Sequence, residues 1–353
     1  MYRVDSPGRV NLMGEHTDYA LGYVMPMAIN LYTVVHAQMS NSVRVYSQIF
    51  HDVHEFPVDS PTKSGNWSDH VRAVFWVLKN EGYKVGGVKA IVGGDLPVGS
   101  GLGSSASLKV AFISLLNKMY ELNLLPVEIA LLAKKAENEY MKVPTGVSDP
   151  FTVVHGKKGH VLFIDTDTLN HSYIKFPESA RLIAFYTGIT REVAGSSYAE
   201  RKKLAEETLR LLGKHSSIDV SERDLRGLPS LYRRFFGYIV RENRRVLEAR
   251  DALRAGDLEK LGELMTTSHW DLARNYDVSS EELDFIVKRA VELGAYGAKM
   301  TGAGFGGSAI ILTDENRAVD ITRMIIEEYT RVFNWDPECH IVIPSDGVKV
   351  RIV

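Results

Sequence analysis

The sequence predicts a two-domain α/β (α+β) protein, with a mixed N-terminal half and a mainly helical C-terminal half. Its 353 residues exceed the usual size of a single hydrophobic core. Strand-like and helix-like segments alternate up to about residue 175, and helical patterns dominate from 198 to 294. Apolar residues make up 45% of the chain, which is enough to fill two cores. We therefore expect an N-terminal domain at 1–175 and a C-terminal domain at 176–353.

In the first half, β-branched and aromatic residues predict strands at 32–35, 43–45, 88–92 and 161–164. Apolar residues at helical spacing predict a helix over 69–80. A glycine-rich turn after the third of these strands opens a second helix, over about 105–122. Pro126 suits the first turn of a third helix, which we expect over 126–141.

The second half begins with a short buried strand at 182–185, followed by the helical region. Ser279 and Glu282 have the spacing of a capping box, which predicts the start of its last helix. Gly294 is placed to end that helix. Strands follow at 310–312 and 340–343, and a final strand at 348–353 fits either domain.

The formal charge of 42 − 44 = −2 gives no support for a nucleic-acid or anionic-membrane partner. The single cysteine, Cys339, allows no intramolecular disulfide, which fits a reducing compartment. The N-terminus lacks the basic-then-apolar pattern of a signal peptide, and no apolar run approaches the ~20 residues of a membrane span. We expect a cytoplasmic protein that is a monomer or a dimer.

The first segment that carries chemistry, at 6–19, reads SPGRVNLMGEHTDY. It could be a solvated surface run of charges. It could also be a sugar site, because carboxylates such as Glu15 and Asp18 accept hydrogen bonds from pairs of hydroxyls. In that interpretation Arg9 would bind phosphate or stabilise charge on a group being transferred.

The second segment, LPVGSGLGSSAS at 96–107, lies between a predicted strand and a helix. Three glycines allow its backbone to approach a ligand, and N–H groups at the helix start would face an anion. Ser104, Ser105 and Ser107 add hydroxyls for phosphate or magnesium. A tight turn with a serine cap is the alternative. No Walker A motif is present in the sequence, so this is not a P-loop ATPase.

The third segment, KMTGAGFGGS at 299–308, contains a formal G-x-G-x-x-G. A dinucleotide-binding fold needs this motif between a strand and a helix, whereas here a strand follows it. The sequence therefore argues against a Rossmann dehydrogenase. A structural role, in which the glycines let two backbones approach, stays open.

The three segments occur in the order and spacing of the GHMP kinases, and the chain resembles that superfamily from residue 6 to the PSDG at 344–347. The second segment resembles its P-x-G-x-G-L-x-S-S-A phosphate loop, and the first resembles the galactokinase signature. This resemblance implies a ribosomal-protein-S5-like N-terminal domain, a ferredoxin-like C-terminal domain and an active site between them. It also implies ATP-dependent, Mg²⁺-assisted phosphorylation of D-galactose at its anomeric hydroxyl.

The resemblance assigns roles to matching positions. Asp149, in PTGVSD at 144–149, would take or orient the proton of the anomeric hydroxyl. Arg9 would stabilise the γ-phosphoryl group and keep Asp149 ionised. The implied sugar-binding residues are Glu15, His16, Asp18, Gly146 and Tyr198. The implied nucleotide-binding residues are Gly99, Ser100, Gly101, Leu102, Gly103, Ser104, Ser105 and Ala106. The implied magnesium ligands are Ser105 and Glu137.

Three positions near Asp149 depart from the usual galactokinase pattern. Pro150 replaces a glutamine, Thr145 a cysteine and Ser148 a large apolar residue. Proline lacks an N–H and fixes φ, so the loop around Asp149 could have a different conformation. The departures leave two alternatives open: another sugar acceptor, such as N-acetylgalactosamine or arabinose, or a sensor that binds galactose and ATP without catalysis.

Overall fold

The computed structural model describes residues 1–189 and 194–353. The strands in chain order are β1 (Tyr2–Met13), β2 (Tyr23–Ser40), β3 (Val43–Ser47), β4 (Asp52–Phe56), β5 (Gly87–Gly94), β6 (His160–Asp165), β7 (His171–Lys175), β8 (Ala180–Tyr186), β9 (Gly297–Thr301), β10 (Ser308–Asp314), β11 (Glu338–Val342) and β12 (Lys349–Ile352).

The helices in chain order are α1 (Asp69–Asn80), α2 (Ser104–Met119), α3 (Pro126–Lys135), α4 (Ser148–His155), α5 (Ala194–Leu212), α6 (Ser230–Ala255), α7 (Leu258–Asp271), α8 (Glu281–Glu292) and α9 (Glu315–Phe333). Single π-helical stretches at Ala136–Met141 and Leu272–Tyr276 extend α3 and α7. Short 3-10 turns occupy Asp18–Ala20, Ser217–Asp219 and Asp224–Gly227.

The N-terminal half forms a sheet with the strand order β12-β1-β2-β5-β3-β4, in which β6 also pairs with β2 and β7 with β6. The final strand, whose domain the sequence pattern left open, pairs antiparallel with β1 and so joins this sheet. Helices α1 and α2 pack on it because their apolar side chains recur at helical spacing; Val71, Phe75 and Leu78 of α1 are all buried.

The C-terminal half contains an antiparallel sheet with the order β11-β8-β10-β9. Its core includes Phe185, Tyr276 and Tyr329 with apolar residues of α8 and α9. A third apolar cluster joins the two halves, since it contains Leu12 of β1 together with Leu182 of β8. This shared core holds the first segment, residues 6–19, against the sheet of the C-terminal half.

Most of the expected elements are confirmed, with two corrections. The helix expected over about 105–122 ends at Met119. The capping box at Ser279 is wrong by one position: Ser280 is the N-cap of α8, and its hydroxyl accepts a hydrogen bond from Leu283 N. Ser279 instead donates its hydroxyl to Asp284. Gly294 follows α8 with a φ of +80°, as expected for the residue that ends a helix.

Candidate active site

The glycine-rich segment forms a turn at the start of α2. Gly99, Gly101 and Gly103 have φ values of +77°, +82° and +85°, which favour glycine, and Gly103 is the N-cap of the helix. The first N–H groups of a helix have no partner within it, so they face the turn. Such N–H groups, with the positive end of the helix dipole, suit a phosphate.

The serines of this turn divide into two groups. Ser104 and Ser105 are half-buried in the first turn of α2. Ser107 is buried, and it exchanges two hydrogen bonds with Ser6: each hydroxyl donates to the other residue's carbonyl, at 2.9 and 2.8 Å. The expectation that the Ser107 hydroxyl binds phosphate or magnesium is therefore wrong, because a structural contact uses it. Ser100 and Leu102 are also buried, and their carbonyls accept hydrogen bonds from the Ser308 hydroxyl and from Arg9 N.

Arg9 connects this turn to Asp149. Its guanidinium donates from Nε and Nη2 to the two carboxylate oxygens of Asp149, at 2.6 and 2.5 Å. Its Nη1 donates to the carbonyl of Gly101, and its backbone N–H donates to Leu102 O at 2.8 Å. The Arg9 side chain is 8% exposed and that of Asp149 is 40% exposed. A fixed cation and an accessible carboxylate thus lie beside the glycine turn.

Asp149 lies in the first turn of α4, where the helix dipole favours a negative charge. Pro150 follows it and is buried in the same turn. The N–H that proline lacks would have no intrahelical partner at this position. The helix therefore accommodates Pro150, and Phe151 N makes the next helical bond to Val147 O at 3.1 Å.

The third segment packs on the other two. Ser308 donates its hydroxyl to Ser100 O at 2.6 Å, and Asn11 N donates to the Thr301 hydroxyl at 2.9 Å. A Cβ on Gly302, whose φ is +85°, would lie 3.3 Å from Gly101 O. The structural interpretation is therefore confirmed for Gly302, which lets the end of β9 approach the turn before α2. It is also confirmed for Gly304, where a Cβ would lie 2.2 Å from Val278 O.

A cavity of about 220 Å³ opens beside Asp149. Its lining includes all the expected sugar-binding residues, together with Arg9, Asn11, Ser148 and Ala303. Asn11 Oδ1 and Glu15 Oε1 are buried and have no hydrogen-bond partner among the described residues. Buried acceptors without partners favour a ligand that brings hydroxyl donors.

Glu15 is held by a buried cation. The Lys299 ammonium, which is fully buried, donates to Glu15 Oε2. Burial raises the pKa of Glu15 to about 7; the charge of Lys299 opposes this shift, and that of Glu242 adds to it. Glu242 in turn accepts a hydrogen bond from Gly14 N at 2.9 Å, so helix α6 also holds the signature segment.

Asp18 lies against Gly146, and both residues line the same cavity. A Cβ on Gly146 would lie 1.8 Å from Asp18 Oδ2, so any larger residue there would displace the Asp18 carboxylate. Burial, and then the charge of Asp149, raises the pKa of Asp18 to about 6.

His16 and Tyr198 form an aromatic wall. The two rings lie 5.4 Å apart between centroids. Both nitrogens of His16 have protein partners, since Nδ1 lies 3.0 Å from Tyr19 OH and Nε2 lies 3.0 Å from Ala303 O. Burial lowers the pKa of His16 to about 3, so the imidazole is neutral and bonds through one N–H and one lone pair.

Ser105 and Glu137, the expected metal ligands, both contact Lys109, a residue that the sequence did not identify as part of the site. Lys109 Nζ pairs with Glu137 Oε2 and donates to Ser105 O at 3.2 Å. A hydroxyl and a carboxylate suit Mg²⁺, which usually takes few protein oxygens and completes its shell with phosphates and water. Across the described part of the chain, no group of three or more His, Cys, Asp or Glu side chains could hold a metal. These two oxygen ligands therefore fit a Mg²⁺ ion that arrives bound to a nucleotide.

Neither Lys109 nor Lys299 was assigned a role from the sequence. Each is buried and paired with a carboxylate that is distant in sequence. A lysine in an otherwise apolar helical pattern was the available signal for Lys109, since lysine is rarely fully buried unless it is paired.

The described residues contain no helix long and apolar enough to cross a membrane.

Three family models match the chain: the GHMP kinases N terminal domain at residues 69–157, the GHMP kinases C terminal domain at 249–331 and the galactokinase galactose-binding signature at 2–39.

Curated relatives match over nearly the whole length. A galactokinase of Pyrococcus furiosus is 58% identical over 98% of this chain and 99% of its own. A galactokinase of Thermotoga maritima is 37% identical over 98% of this chain and 99% of its own.

Solved structures have the same fold. The galactokinase of Lactococcus lactis complexed with galactose matches with a TM-score of 0.93 at 31% identity, covering 98% of this chain and 94% of that one. The mevalonate kinase of Methanococcus jannaschii, at 21% identity and a TM-score of 0.70 over 98% of each chain, shares the fold. With these relatives and the galactose-binding signature, the chain belongs to the galactokinase family of the GHMP kinases.

Proposed function

We propose that this enzyme transfers the γ-phosphoryl group of ATP to the anomeric hydroxyl of D-galactose, which gives α-D-galactose 1-phosphate and ADP. The observation that carries the proposal is the contact of Arg9 with both Asp149 and Gly101. It places a cation and a carboxylate beside the glycine-rich turn before α2, whose N–H groups suit a phosphate. The galactokinase relatives support the choice of sugar.

In the proposed mechanism, the anomeric oxygen attacks the γ-phosphorus while the bond to the β-phosphate oxygen breaks. Asp149 accepts the hydroxyl proton or orients the hydroxyl, and Arg9 stabilises the charge on the equatorial oxygens. Phosphoryl transfer depends mainly on alignment and charge stabilisation. Because Arg9 contacts both Gly101 and Asp149, it fixes its own guanidinium and the Asp149 carboxylate relative to the glycine-rich turn.

The sugar occupies the 220 Å³ cavity in this proposal. Glu15 and Asp18 accept hydrogen bonds from its hydroxyls, and Gly146 leaves room for Asp18. His16 contacts the sugar through its ring, because its nitrogens already have protein partners. Tyr198 completes this wall.

The nucleotide phosphates bind at the N–H groups of the turn before α2, which extends from Gly99 to Ala106. The Ser105 hydroxyl and the free oxygen of Glu137 are the proposed protein ligands of Mg²⁺. Bound magnesium would neutralise negative charge on the β- and γ-phosphates. The cytoplasm is the proposed location, which the single cysteine supports.

An acceptor panel tests the proposal by measuring ADP release with ATP and D-galactose, D-glucose, N-acetylgalactosamine or arabinose. We expect high turnover with galactose and little with glucose, whose O4 has the opposite configuration. Preference for another sugar would overturn the choice of acceptor. Binding of galactose and ATP without turnover would identify a sensor instead.

A further inference from the structure

Lys109 is a charged side chain that the proposed mechanism does not use. It lies in the second turn of α2, the helix that begins at the glycine-rich turn, and it is 1% exposed. Its ammonium contacts Glu137 Oε2, His70 Nδ1 at 2.8 Å and Ser105 O at 3.2 Å. An ammonium has three N–H donors, so these three acceptors use all of them.

The contacts place a fixed positive charge at both proposed metal ligands. The charge of Glu137 is balanced by Lys109, and one of its carboxylate oxygens is occupied. Because the ammonium is buried and fully hydrogen-bonded, it cannot turn into solvent when a cation approaches. A divalent ion on the other oxygen of Glu137 would lie close to a charge of the same sign, in a region where water screens poorly.

We propose that Lys109 is a positioning residue that sets how the enzyme takes up its divalent cation. It holds Glu137 and the start of α2 together, and its charge weakens the binding of a free ion to Glu137 and Ser105. The ion is consequently bound well only as its complex with the nucleotide, whose phosphates supply most of the oxygen ligands. This inference rests on the proposed role of Ser105 and Glu137.

The test measures binding of Mn²⁺, as a paramagnetic probe for Mg²⁺, by electron paramagnetic resonance and calorimetry. Mn²⁺ is titrated alone and with a non-hydrolysable ATP analogue. Lys109→Met removes the charge, and we expect Mn²⁺ alone to bind about tenfold or more tightly than to the wild type. Lys109→Arg keeps the charge and should retain weak binding. Lys109→Gln, which keeps a donor for Ser105 O, replaces Lys109→Met if that variant does not fold.

Two controls separate the explanations. Lys135→Met removes an equal charge from a half-exposed pair with Glu81, and it should leave Mn²⁺ binding unchanged. Glu137→Gln should cancel the gain in the Lys109→Met background. Neutral variants of Lys109 that bind Mn²⁺ no more tightly than the wild type would overturn the inference. A gain that persists with Glu137→Gln would also overturn it. Galactose-dependent ADP release by the wild type tests the proposed function separately.

Discussion

The guanidinium of Arg9 and the carboxylate of Asp149 form a two-bond pair between the first strand and the first turn of α4, which are 140 residues apart in sequence. The same guanidinium contacts the carbonyl of Gly101. A planar guanidinium can make these contacts together, whereas the ammonium of a lysine cannot reproduce their geometry. The position of Asp149 relative to the glycine-rich turn therefore depends on Arg9.

The first prediction concerns this pair. Asp149→Asn should lower kcat by about 10²–10⁴-fold, the usual contribution of a group that accepts a proton in the transition state. Its Kd for ATP should hardly change, because the turn before α2 is intact. Arg9→Lys keeps the charge but loses the fork, so its kcat should also fall. Steady-state kinetics and calorimetric ATP titration measure both effects. Unchanged turnover in Asp149→Asn would contradict the assigned role.

Elements with a local cause were predictable from the sequence. The helix expected over 69–80 is α1 (Asp69–Asn80), because its apolar spacing and its boundaries depend on neighbouring residues. Buried partners distant in sequence were not predictable. Lys299 pairs with Glu15 across 284 residues, and no periodicity indicates such a contact. Ser107 shows the reverse error: its position in the motif suggested a ligand, but the fold buries it against Ser6.

The second prediction concerns the glycine turn. Gly103 has a φ of +85°, and a Cβ there would lie 3.1 Å from Arg9 Cγ. Gly103→Ala should therefore cost about 1–2 kcal/mol of unfolding free energy and displace Arg9, which lowers kcat. Gly82→Ala is a matched control: its φ is +83°, but no described atom lies within 4 Å of the added Cβ. It should lose similar stability and keep full activity. Equal kcat losses in the two variants would exclude a specific role for Gly103.

The third prediction links galactose binding to the stability of the free enzyme. Burial, and then the charge of Asp149, raises the pKa of Asp18 from 3.8 to about 6. The folded state therefore binds this proton more tightly than the unfolded chain does. Ionised Asp18 consequently costs stability above about pH 6, and the cost disappears as the pH falls towards 3.8.

Asp18→Asn should accordingly raise the free energy of unfolding by about 1–3 kcal/mol at pH 8, and by less at pH 5. The same change should weaken galactose binding, since an amide offers a poorer acceptor than a carboxylate. In the wild type, the KM for galactose should rise as the pH falls below about 6. Denaturant unfolding at the two pH values and KM profiles test this. A variant less stable than the wild type at pH 8 would refute the link.

The fourth prediction concerns the buried pair of Glu15 and Lys299. Lys299→Met leaves the Glu15 carboxyl buried without its cation, a change that costs about 3–5 kcal/mol for a buried ion pair. The pKa of Glu15 is already raised to about 7, so a proton can replace the lost cation at low pH. We therefore expect the loss of stability to be smaller at pH 6 than at pH 8, and denaturant unfolding at both values measures it.

The double variant Glu15→Gln with Lys299→Met separates the stabilising role of the pair from its role in binding. It removes both charges, so its stability at pH 8 should recover much of what Lys299→Met alone loses. Galactose binding should not recover, because the proposed sugar acceptor on Glu15 is gone. Calorimetric titration with galactose measures this. A double variant that binds galactose like the wild type would show that Glu15 supports the fold without contacting the sugar. The lack of a hydrogen-bond partner at the buried Glu15 Oε1 would then not be explained by a contact with the sugar.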